Sequence, residues 1–149
     1  MIKVFNVNKG TFEEVEKIVK DEDEWRKTLT AEQFNVTQKH ATEKSFTGEL
    51  LNNKAEGAYK CVVCGTDLFT SEAKYDSKTG WPDFWKPVAE ENIGTKADCS
   101  LFMRRTEAHC PCCAAHLGHV FDDGPPPTNK RYCINSTALK FQPVEKKNN

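Results

Sequence analysis

Cys61-Val-Val-Cys64 is the most informative segment of the sequence, together with its counterpart Cys110-Pro-Cys-Cys113. Each CxxC pair can turn two sulfurs toward one ion, and two pairs supply the four soft ligands that tetrahedral zinc prefers. Since four thiolates leave no open coordination position, we expect one structural zinc ion. The 45 residues between the pairs exceed a simple zinc ribbon, so an inserted sheet is expected. A redox dithiol is the alternative for either pair, although no thioredoxin-like βαβ pattern surrounds them.

The composition narrows the class of protein. The 149 residues suggest one domain, in which 38% of residues are apolar and 29% are charged. A net charge of −1 offers no basic surface for a nucleic acid, and no apolar run is long enough to cross a membrane. The N-terminus lacks the pattern of a signal peptide. We therefore expect a cytoplasmic monomer whose seven cysteines are not paired in disulfides.

The pattern of apolar residues changes at about Ser45. Before it we predict two or three short helices, and after it the chain is mainly β. The predicted elements are a strand over 2–7, helices over 11–20, 22–28 and from 30 onward, and strands over 57–61, 98–106, 116–121 and 138–142. The expected organisation is a strand–helix extension over 1–21, a main domain over 22–143 and a polar tail over 144–149.

Three cysteines remain outside the proposed metal quartet: Cys99, Cys112 and Cys133. Arg131, Cys133 and Asn135 alternate along an extended run, so one face of a strand can present a cation, a thiol and an amide. A nearby cation favours the thiolate, which is the reactive form. A cysteine on a strand is also often a small buried hydrophobe, and the pattern alone leaves both interpretations open.

Two further segments carry polar or aromatic chemistry. His116-Leu-Gly-His119, followed by Asp123, indicates a surface histidine pair, a second metal site or a general acid near a reacting oxygen. Trp81-Pro-Asp-Phe84-Trp85 indicates either a cap on the core or an apolar wall for a methyl or thioether group.

Together these segments resemble the methionine-R-sulfoxide reductase (MsrB) family. The resemblance covers about residues 22–143 and rests on GWPDF at 80–84, HLGHVFDDGP at 116–125, RYCINSTAL at 131–139 and the two CxxC pairs. It implies two antiparallel sheets in a zinc-stapled, mainly β domain with short helices before them. It also implies a peptide-methionine (R)-S-oxide reductase, an oxidoreductase that repairs oxidised proteins under oxidative stress.

The resemblance also implies roles for individual residues. Cys133 resembles the nucleophile that attacks the sulfoxide sulfur, releases methionine and becomes a sulfenic acid. His119 is the expected acid or proton relay. Trp81 and Phe84 are expected to contact the substrate, with Trp81 against its S-methyl group. The other expected site residues are His116, Asn135, Asp123 and Arg131.

One position departs from the family pattern. Thr79 stands where many members carry a resolving cysteine, just before Gly80. Threonine cannot form a disulfide, so the sulfenic acid needs another thiol. Cys99 or Cys112 are internal candidates if the fold brings a sulfur within bonding reach. We favour an external reductant, which is a low-molecular-weight thiol, a glutaredoxin or a thioredoxin, because neither spare cysteine matches a resolving position.

Two other classes of protein share the CxxC pairs. A zinc-ribbon binding module leaves the histidine and RYCIN segments without a role, and it expects a basic surface. A zinc-dependent hydrolase or deaminase requires an open metal position, usually with histidine or carboxylate ligands.

Overall fold

The computed structural model describes residues 1–99 and 103–144. The helices are α1 (Glu22–Thr28) and α2 (Ala31–Lys39). The strands are β1 (Ile2–Asn6), β2 (Thr11–Val15), β3 (Gly57–Cys61), β4 (Asp67–Thr70), β5 (Lys74–Tyr75), β6 (Asp83–Phe84), β7 (Gly94–Asp98), β8 (Arg105–His109), β9 (His116–Phe121), β10 (Arg131–Ile134) and β11 (Leu139–Pro143). Except for Val144, the predicted polar tail lies outside the described residues. No helix in the described part of the chain is long and apolar enough to span a bilayer.

Within the described residues the strands form three antiparallel sheets, where we expected two. The large sheet has the order β5-β6-β10-β9-β8-β7, the small sheet has the order β11-β3-β4, and β1 pairs only with β2. The mainly β class with antiparallel sheets is therefore confirmed. The predicted strands over 57–61 and 116–121 match β3 and β9, and the one over 138–142 is β11 shifted by one residue.

The predicted strand over 98–106 is wrong, because β7 ends at Asp98 and β8 begins at Arg105. The two strands pair with each other, and Asp98 is opposite Arg105. Positions 100–102 of that prediction lie outside the described residues.

The predicted helix over 11–20 is also wrong, because Thr11–Val15 forms β2. Gly10 adopts a left-handed φ of 67° and closes the turn after β1. The Phe12 ring then packs edge-on against Phe5, with centroids 5.2 Å apart. The helical pattern required Phe12 and Val19 on one buried face, yet both side chains are exposed. Two helices, rather than three, therefore precede the main sheets in the described chain.

Local side-chain caps explain where both helices begin. The Asp21 carboxylate accepts a hydrogen bond from the N–H of Glu24 at 2.9 Å. Thr30 and Gln33 form a reciprocal capping box, with bonds of 2.9 and 3.1 Å. Helix α2 packs on β9 and ends at His40, which has a left-handed φ of 61°. This end of α2 therefore lies over the large sheet.

The core lies between the large and the small sheet. Phe84 of β6 stacks on Phe69 of β4, with centroids 4.2 Å apart, and meets Tyr59 of β3 edge-on at 5.1 Å. All three side chains are fully buried. Burying each ring stabilises the fold by about 1.5–3 kcal/mol. The predicted substrate contact for Phe84 is therefore wrong, because its ring fills the space between the sheets.

Candidate active site

Both CxxC pairs form the same tight turn. Gly65, at φ 84°, donates its N–H to the carbonyl of Cys61 at 2.8 Å. Ala114, at φ 64°, donates in the same way to the carbonyl of Cys110 at 2.9 Å. Glycine adopts the left-handed conformation without a steric cost, and alanine has the smallest side chain that must do so. The small residues after each pair thus belong to the turn, as the sequence indicates.

The four predicted ligands converge on one point. All four Sγ atoms lie within 4.8 Å of one another. Cys61 Sγ is 3.7 Å from Cys113 Sγ, and Cys64 Sγ is 3.6 Å from Cys110 Sγ. A tetrahedron with metal–sulfur bonds of about 2.3 Å has edges of roughly 3.8 Å. The residues present therefore fit a metal ion, and the quartet connects β3 of the small sheet to the β8–β9 turn of the large one.

Cys112 lies beside this quartet and under the N-terminal segment. Its Sγ donates to the carbonyl of Glu16 at 3.5 Å, and its own carbonyl accepts from the N–H of Ile18 at 2.9 Å. Its side chain is buried there. The structure does not bring Cys112 together with Cys133.

Cys133 lies on β10, outside the quartet. It is the register partner of His119 on β9 and of Asp83 on β6, so an imidazole and a carboxylate flank the thiol. Gly118 lets strands β9 and β10 approach closely, because a Cβ at that position would lie 2.0 Å from the carbonyl oxygen of Cys133. The sheet therefore brings the predicted HLGH and RYCIN segments together.

A cavity of 120 Å³ opens beside Cys133. Trp81 and Phe121 contribute aromatic surface to it, while His119 and Arg105 contribute polar groups. The full lining is Thr42, Trp81, Arg105, Gly118, His119, Phe121, Cys133 and Asn135. A small cavity with aromatic walls and a polar edge suits the end of one apolar side chain that carries a polar atom.

The surroundings of Cys133 keep the thiol protonated. Burial and the Asp83 carboxylate raise the pKa of Cys133 to about 12. The Arg131 cation and a hydrogen bond from Thr79 lower this pKa, but they are outweighed. In this structure burial and Asp83 therefore outweigh the effect of Arg131 that the sequence predicts, since burial penalises the charged sulfur.

Arg131 is itself held by two carboxylates. Its Nε and Nη2 donate to Asp123 at 2.9 and 3.2 Å, and its Nη1 donates to Asp83 at 3.4 Å. The guanidinium also lies over the Phe121 ring, 4.5 Å from the centroid. The structure thus brings the predicted pair Arg131 and Asp123 together near Cys133.

Thr79, at the position of the usual resolving cysteine, also contacts this charged group. Its hydroxyl donates to the buried Asp83 carboxylate at 2.8 Å, and the Ser77 hydroxyl donates to the same oxygen. The same hydroxyl also lies close enough to the Cys133 thiol to lower its pKa.

The segment after α2 holds two further cavity residues. Glu43 donates its N–H to Asn135 Oδ1 at 3.0 Å, and its carbonyl accepts from Trp81 Nε1 at 3.0 Å. Asn135 Nδ2 donates to the carbonyl of Leu117, also at 3.0 Å. In this structure the Asn135 amide therefore connects backbone segments around the cavity.

His119 contacts an acidic side chain at the edge of the cavity. Its Nε2 lies 2.9 Å from Asp98 Oδ2, and Arg105 Nη2 donates to the same oxygen at 3.3 Å. Cys99 follows Asp98 and is exposed. An imidazole that contacts a carboxylate and also lines the cavity can move a proton between that carboxylate and a group bound in the cavity.

His116 is buried behind His119, and their ring centroids are 5.5 Å apart. Its Nδ1 lies 2.9 Å from Glu107 Oε2. Burial lowers the pKa of His116, although Glu107 acts in the opposite direction. The neutral ring therefore donates from Nδ1, which leaves Nε2 as an acceptor; this atom is buried without a hydrogen-bond partner in the described chain.

Sequence reasoning missed three residues of this site. Asp83 is the one charged residue in the aromatic run 81–85, and Phe121 follows His119 by two positions on the same strand face. Both signals were therefore present in the sequence. Glu43 gave no such signal, because it holds Asn135 and Trp81 through its backbone.

Comparisons with known proteins agree with this geometry. The SelR domain family matches residues 29–143. A peptide methionine sulfoxide reductase MsrB from Hahella chejuensis is 53% identical over 131 residues, which cover 88% of this chain and 94% of that protein. The chain belongs to the MsrB family. Its membership confirms the predicted family and the predicted class of enzyme, an oxidoreductase that acts on sulfur.

Other MsrB relatives come from distant organisms. The MsrB of Methanosarcina barkeri is 48% identical over 128 residues, which cover 86% of this chain and 90% of that protein. The mouse methionine-R-sulfoxide reductase B3, mitochondrial, is 53% identical over 129 residues, which cover 87% of this chain but 51% of that longer protein.

Proposed function

We propose that this protein reduces the R epimer of methionine sulfoxide in peptides and oxidised proteins, with Cys133 as the nucleophile. The observation that carries the proposal is the position of Cys133, outside the cysteine quartet and on the wall of a small aromatic cavity. The mouse relative is named a methionine-R-sulfoxide reductase, which supports the choice of the R epimer.

The proposed reaction transfers one oxygen atom and two electrons. Cys133 sulfur attacks the sulfoxide sulfur and forms a transient S–S bond. The oxygen then bonds to Cys133 sulfur as the substrate S–O bond and the S–S bond break, and methionine leaves. The oxygen ends on Cys133 as a sulfenic acid, so the cysteine sulfur is oxidised by the two electrons that reduce the substrate. The sulfenic acid carries one proton on the transferred oxygen, and the Cys133 thiol releases one proton. A thiol that is protonated before the reaction therefore balances the step.

His119 is the group that we assign to move this proton. It pairs with Cys133 across the two strands and lines the same cavity. General acid–base assistance of this kind contributes about 10²–10⁴-fold to a rate. His116 supports the ring of His119 from behind, and Asp123 fixes the guanidinium of Arg131 close to the reacting sulfur.

Trp81 and Phe121 are the proposed contacts for the S-methyl group. Methyl and oxide substituents differ in polarity, so a cavity that offers Trp81 to the methyl group and His119 to the oxygen favours one arrangement around the sulfur. This asymmetry is the proposed physical basis for preferring a single epimer.

The cysteine quartet is proposed to hold a structural zinc ion. The sulfur separations of 3.6 and 3.7 Å fit tetrahedral coordination, and four thiolates leave no position for substrate. Zinc would supply only folding stability here, and the chemistry belongs to Cys133 and its neighbours.

An external thiol is proposed to reduce the sulfenic acid. Thr79 cannot form a disulfide, and Cys112 is held under Glu16. Cys99 stays as the internal alternative, because it is exposed and follows Asp98, the partner of His119. Glutaredoxin, thioredoxin or a low-molecular-weight thiol can serve as the donor. A cytoplasmic location and a monomeric state stay predictions.

The activity is tested with separated R and S sulfoxides of a blocked methionine and dithiothreitol as reductant. We expect turnover of the R epimer alone and its loss in Cys133→Ser, whereas the control Cys99→Ser keeps its activity. Turnover of the S epimer, or activity in Cys133→Ser, would contradict the proposal.

The reductant is tested by adding one equivalent of R sulfoxide without any thiol, while zinc is retained. An external donor predicts one methionine per chain and a single modified cysteine, identified by mass spectrometry as a sulfenic acid on Cys133. Loss of two thiols with a Cys133–Cys99 linkage, absent from Cys99→Ser, would instead establish an internal disulfide.

A further inference from the structure

A second group of metal-binding side chains surrounds Glu107, outside the cysteine quartet. His40, Glu107 and His116 each offer one ligand atom, and the three atoms lie within 4.8 Å of one another. Glu107 Oε2 lies 2.9 Å from His116 Nδ1 and 3.0 Å from His40 Nε2. Three elements supply the group, since His40 caps α2, Glu107 is on β8 and His116 is on β9.

The group lies on the wall of a cavity that is open to ions. This cavity has a volume of 340 Å³, and it also contacts His119, which the Cys133 cavity shares. The His40 side chain is 54% exposed, whereas Glu107 and His116 are 4% and 2% exposed. An ion can therefore approach from the side of His40 and meet two ligands that the fold already holds in place.

The charge of Glu107 favours a cation at this point. A buried carboxylate needs a positive partner, and the Lys96 ammonium is 3.7 Å away on a side chain that is 63% exposed. His109 also faces Glu107, at 3.6 Å. The buried Nε2 of His116 has no hydrogen-bond partner among the described residues, so the hydrogen bonds of this ring are incompletely satisfied.

We propose that His40, Glu107 and His116 form a second, exchangeable site for Zn²⁺ or a similar transition-metal ion, and that occupation of this site inhibits the enzyme. Two imidazoles and one carboxylate are a ligand set that zinc accepts, with a fourth position left for water. The ion takes the place of the proton between His116 Nδ1 and Glu107. The ring proton then resides on Nε2, and the His116 ring is fixed beside His119.

The site is tested with protein whose cysteine quartet already holds one zinc ion. Calorimetric titration with Zn²⁺ is expected to show a second equivalent in the wild type. His40→Asn is the variant of choice, because asparagine tolerates the left-handed conformation at the end of α2. We expect it to bind the second equivalent at least about tenfold more weakly and to keep its basal activity.

Lys96→Ala is the matched control, because Lys96 faces the same carboxylate without offering a ligand. It is expected to keep the second site, with equal or higher affinity. In the reductase assay, Zn²⁺ should inhibit the wild type and Lys96→Ala at concentrations that leave His40→Asn active. This inhibition rests on the proposed function, whereas the binding measurement does not.

Absence of a second equivalent in the wild type would overturn the proposal. Equal binding by His40→Asn, or equal loss of binding in Lys96→Ala, would also overturn it. Co²⁺ added as the second ion must show a spectrum without a sulfur-to-cobalt charge-transfer band. If that band appears, a cysteine binds the second ion, such as Cys99 on the wall of the same cavity, and the site is not the one proposed.

Discussion

At the scale of single residues, Asp83 and Cys133 oppose each other on neighbouring strands. The carboxylate is 1% exposed and accepts hydrogen bonds from Thr79 and Arg131. Its negative charge, added to burial, raises the pKa of the thiol. The protonated state of Cys133 is therefore set by its neighbours.

Asp83→Asn is predicted to lower the pKa of Cys133. Removing a negative charge favours the thiolate, and it also frees Arg131 to act on the sulfur. The pH dependence of alkylation by iodoacetamide, followed by peptide mapping of Cys133, measures the shift. The thiolate fraction at neutral pH rises about tenfold for each pKa unit lost.

Asp123→Asn is the control for this change, because Asp123 also binds Arg131 but is 66% exposed. We expect a smaller shift from it, since its charge is screened by water. Equal pKa values of Cys133 in Asp83→Asn and the wild type would mean that burial alone raises the value.

At the scale of elements, β9 and β10 approach closely at Gly118. A Cβ there would lie 2.0 Å from the carbonyl oxygen of Cys133, which is backbone and cannot move aside cheaply. Gly118→Ala is therefore predicted to cost about 3 kcal/mol of unfolding free energy in urea and to reduce the yield of methionine in a single turnover.

Gly10→Ala separates this clash from backbone strain. Gly10 has a left-handed φ of 67°, but apart from its chain neighbours no atom of the described residues lies within 4 Å of the added Cβ. We expect a cost of about 1 kcal/mol and unchanged turnover. A similar loss in both variants would show that contact with Cys133 does not determine the effect of Gly118→Ala.

The N-terminal hairpin is attached to the main domain through Asn92. This fully buried amide accepts from the N–H of Phe5 at 2.8 Å and donates to the carbonyls of Phe5 and Asp67 at 2.9 and 2.7 Å. Asn92→Ala is predicted to cost about 1–3 kcal/mol, because it leaves buried backbone groups unpaired.

Hydrogen exchange measures where that cost is located. Exchange of the amides over residues 2–15 should accelerate in Asn92→Ala, while β9 and β10 stay protected. The control Asn8→Ala alters an exposed side chain of the same hairpin and should leave exchange unchanged. Uniform acceleration across the whole chain would show that Asn92 supports the core instead.

Local signals predicted those elements that local contacts stabilise. The Thr30–Gln33 capping box starts α2 as expected, because both of its bonds form within four residues. The helix predicted at β2 is wrong because this segment pairs with β1, and its exposed Phe12 packs on Phe5 of that strand. A contact between two strands leaves no signal in the local sequence. Short strands such as β6 have too few residues for a periodic pattern.

At the scale of the whole molecule, the cysteine quartet connects the two main sheets. Cys61 ends β3, whereas Cys110 and Cys113 lie between β8 and β9. Cys64→Ser is predicted to abolish high-affinity metal binding and to lower the melting temperature by on the order of 10 °C. Metal analysis and calorimetry measure the two effects.

Cys112→Ser is the control for this variant, because Cys112 lies beside the quartet without belonging to it. It should retain one zinc ion per chain and lose less stability. Removing zinc from the wild type with a chelator should reproduce the melting temperature of Cys64→Ser. Loss of zinc from Cys112→Ser would mean that this thiol also takes part in coordination.

The sequence predicted which residues form the candidate site, but it did not predict the charge state of Cys133. The motifs placed Cys133, His119 and Trp81 together, and the sheet and the cavity agree. The charge state of the thiol could not be inferred, because it depends on a carboxylate 50 positions earlier in the chain and on burial between strands.

The protonated state of Cys133 affects how fast hydrogen peroxide oxidises this thiol. Hydrogen peroxide attacks thiolates, so a sulfur that keeps its proton is consumed slowly by the very molecule that damages other proteins. The proposed nucleophile can thus stay reduced until other systems have removed the peroxide.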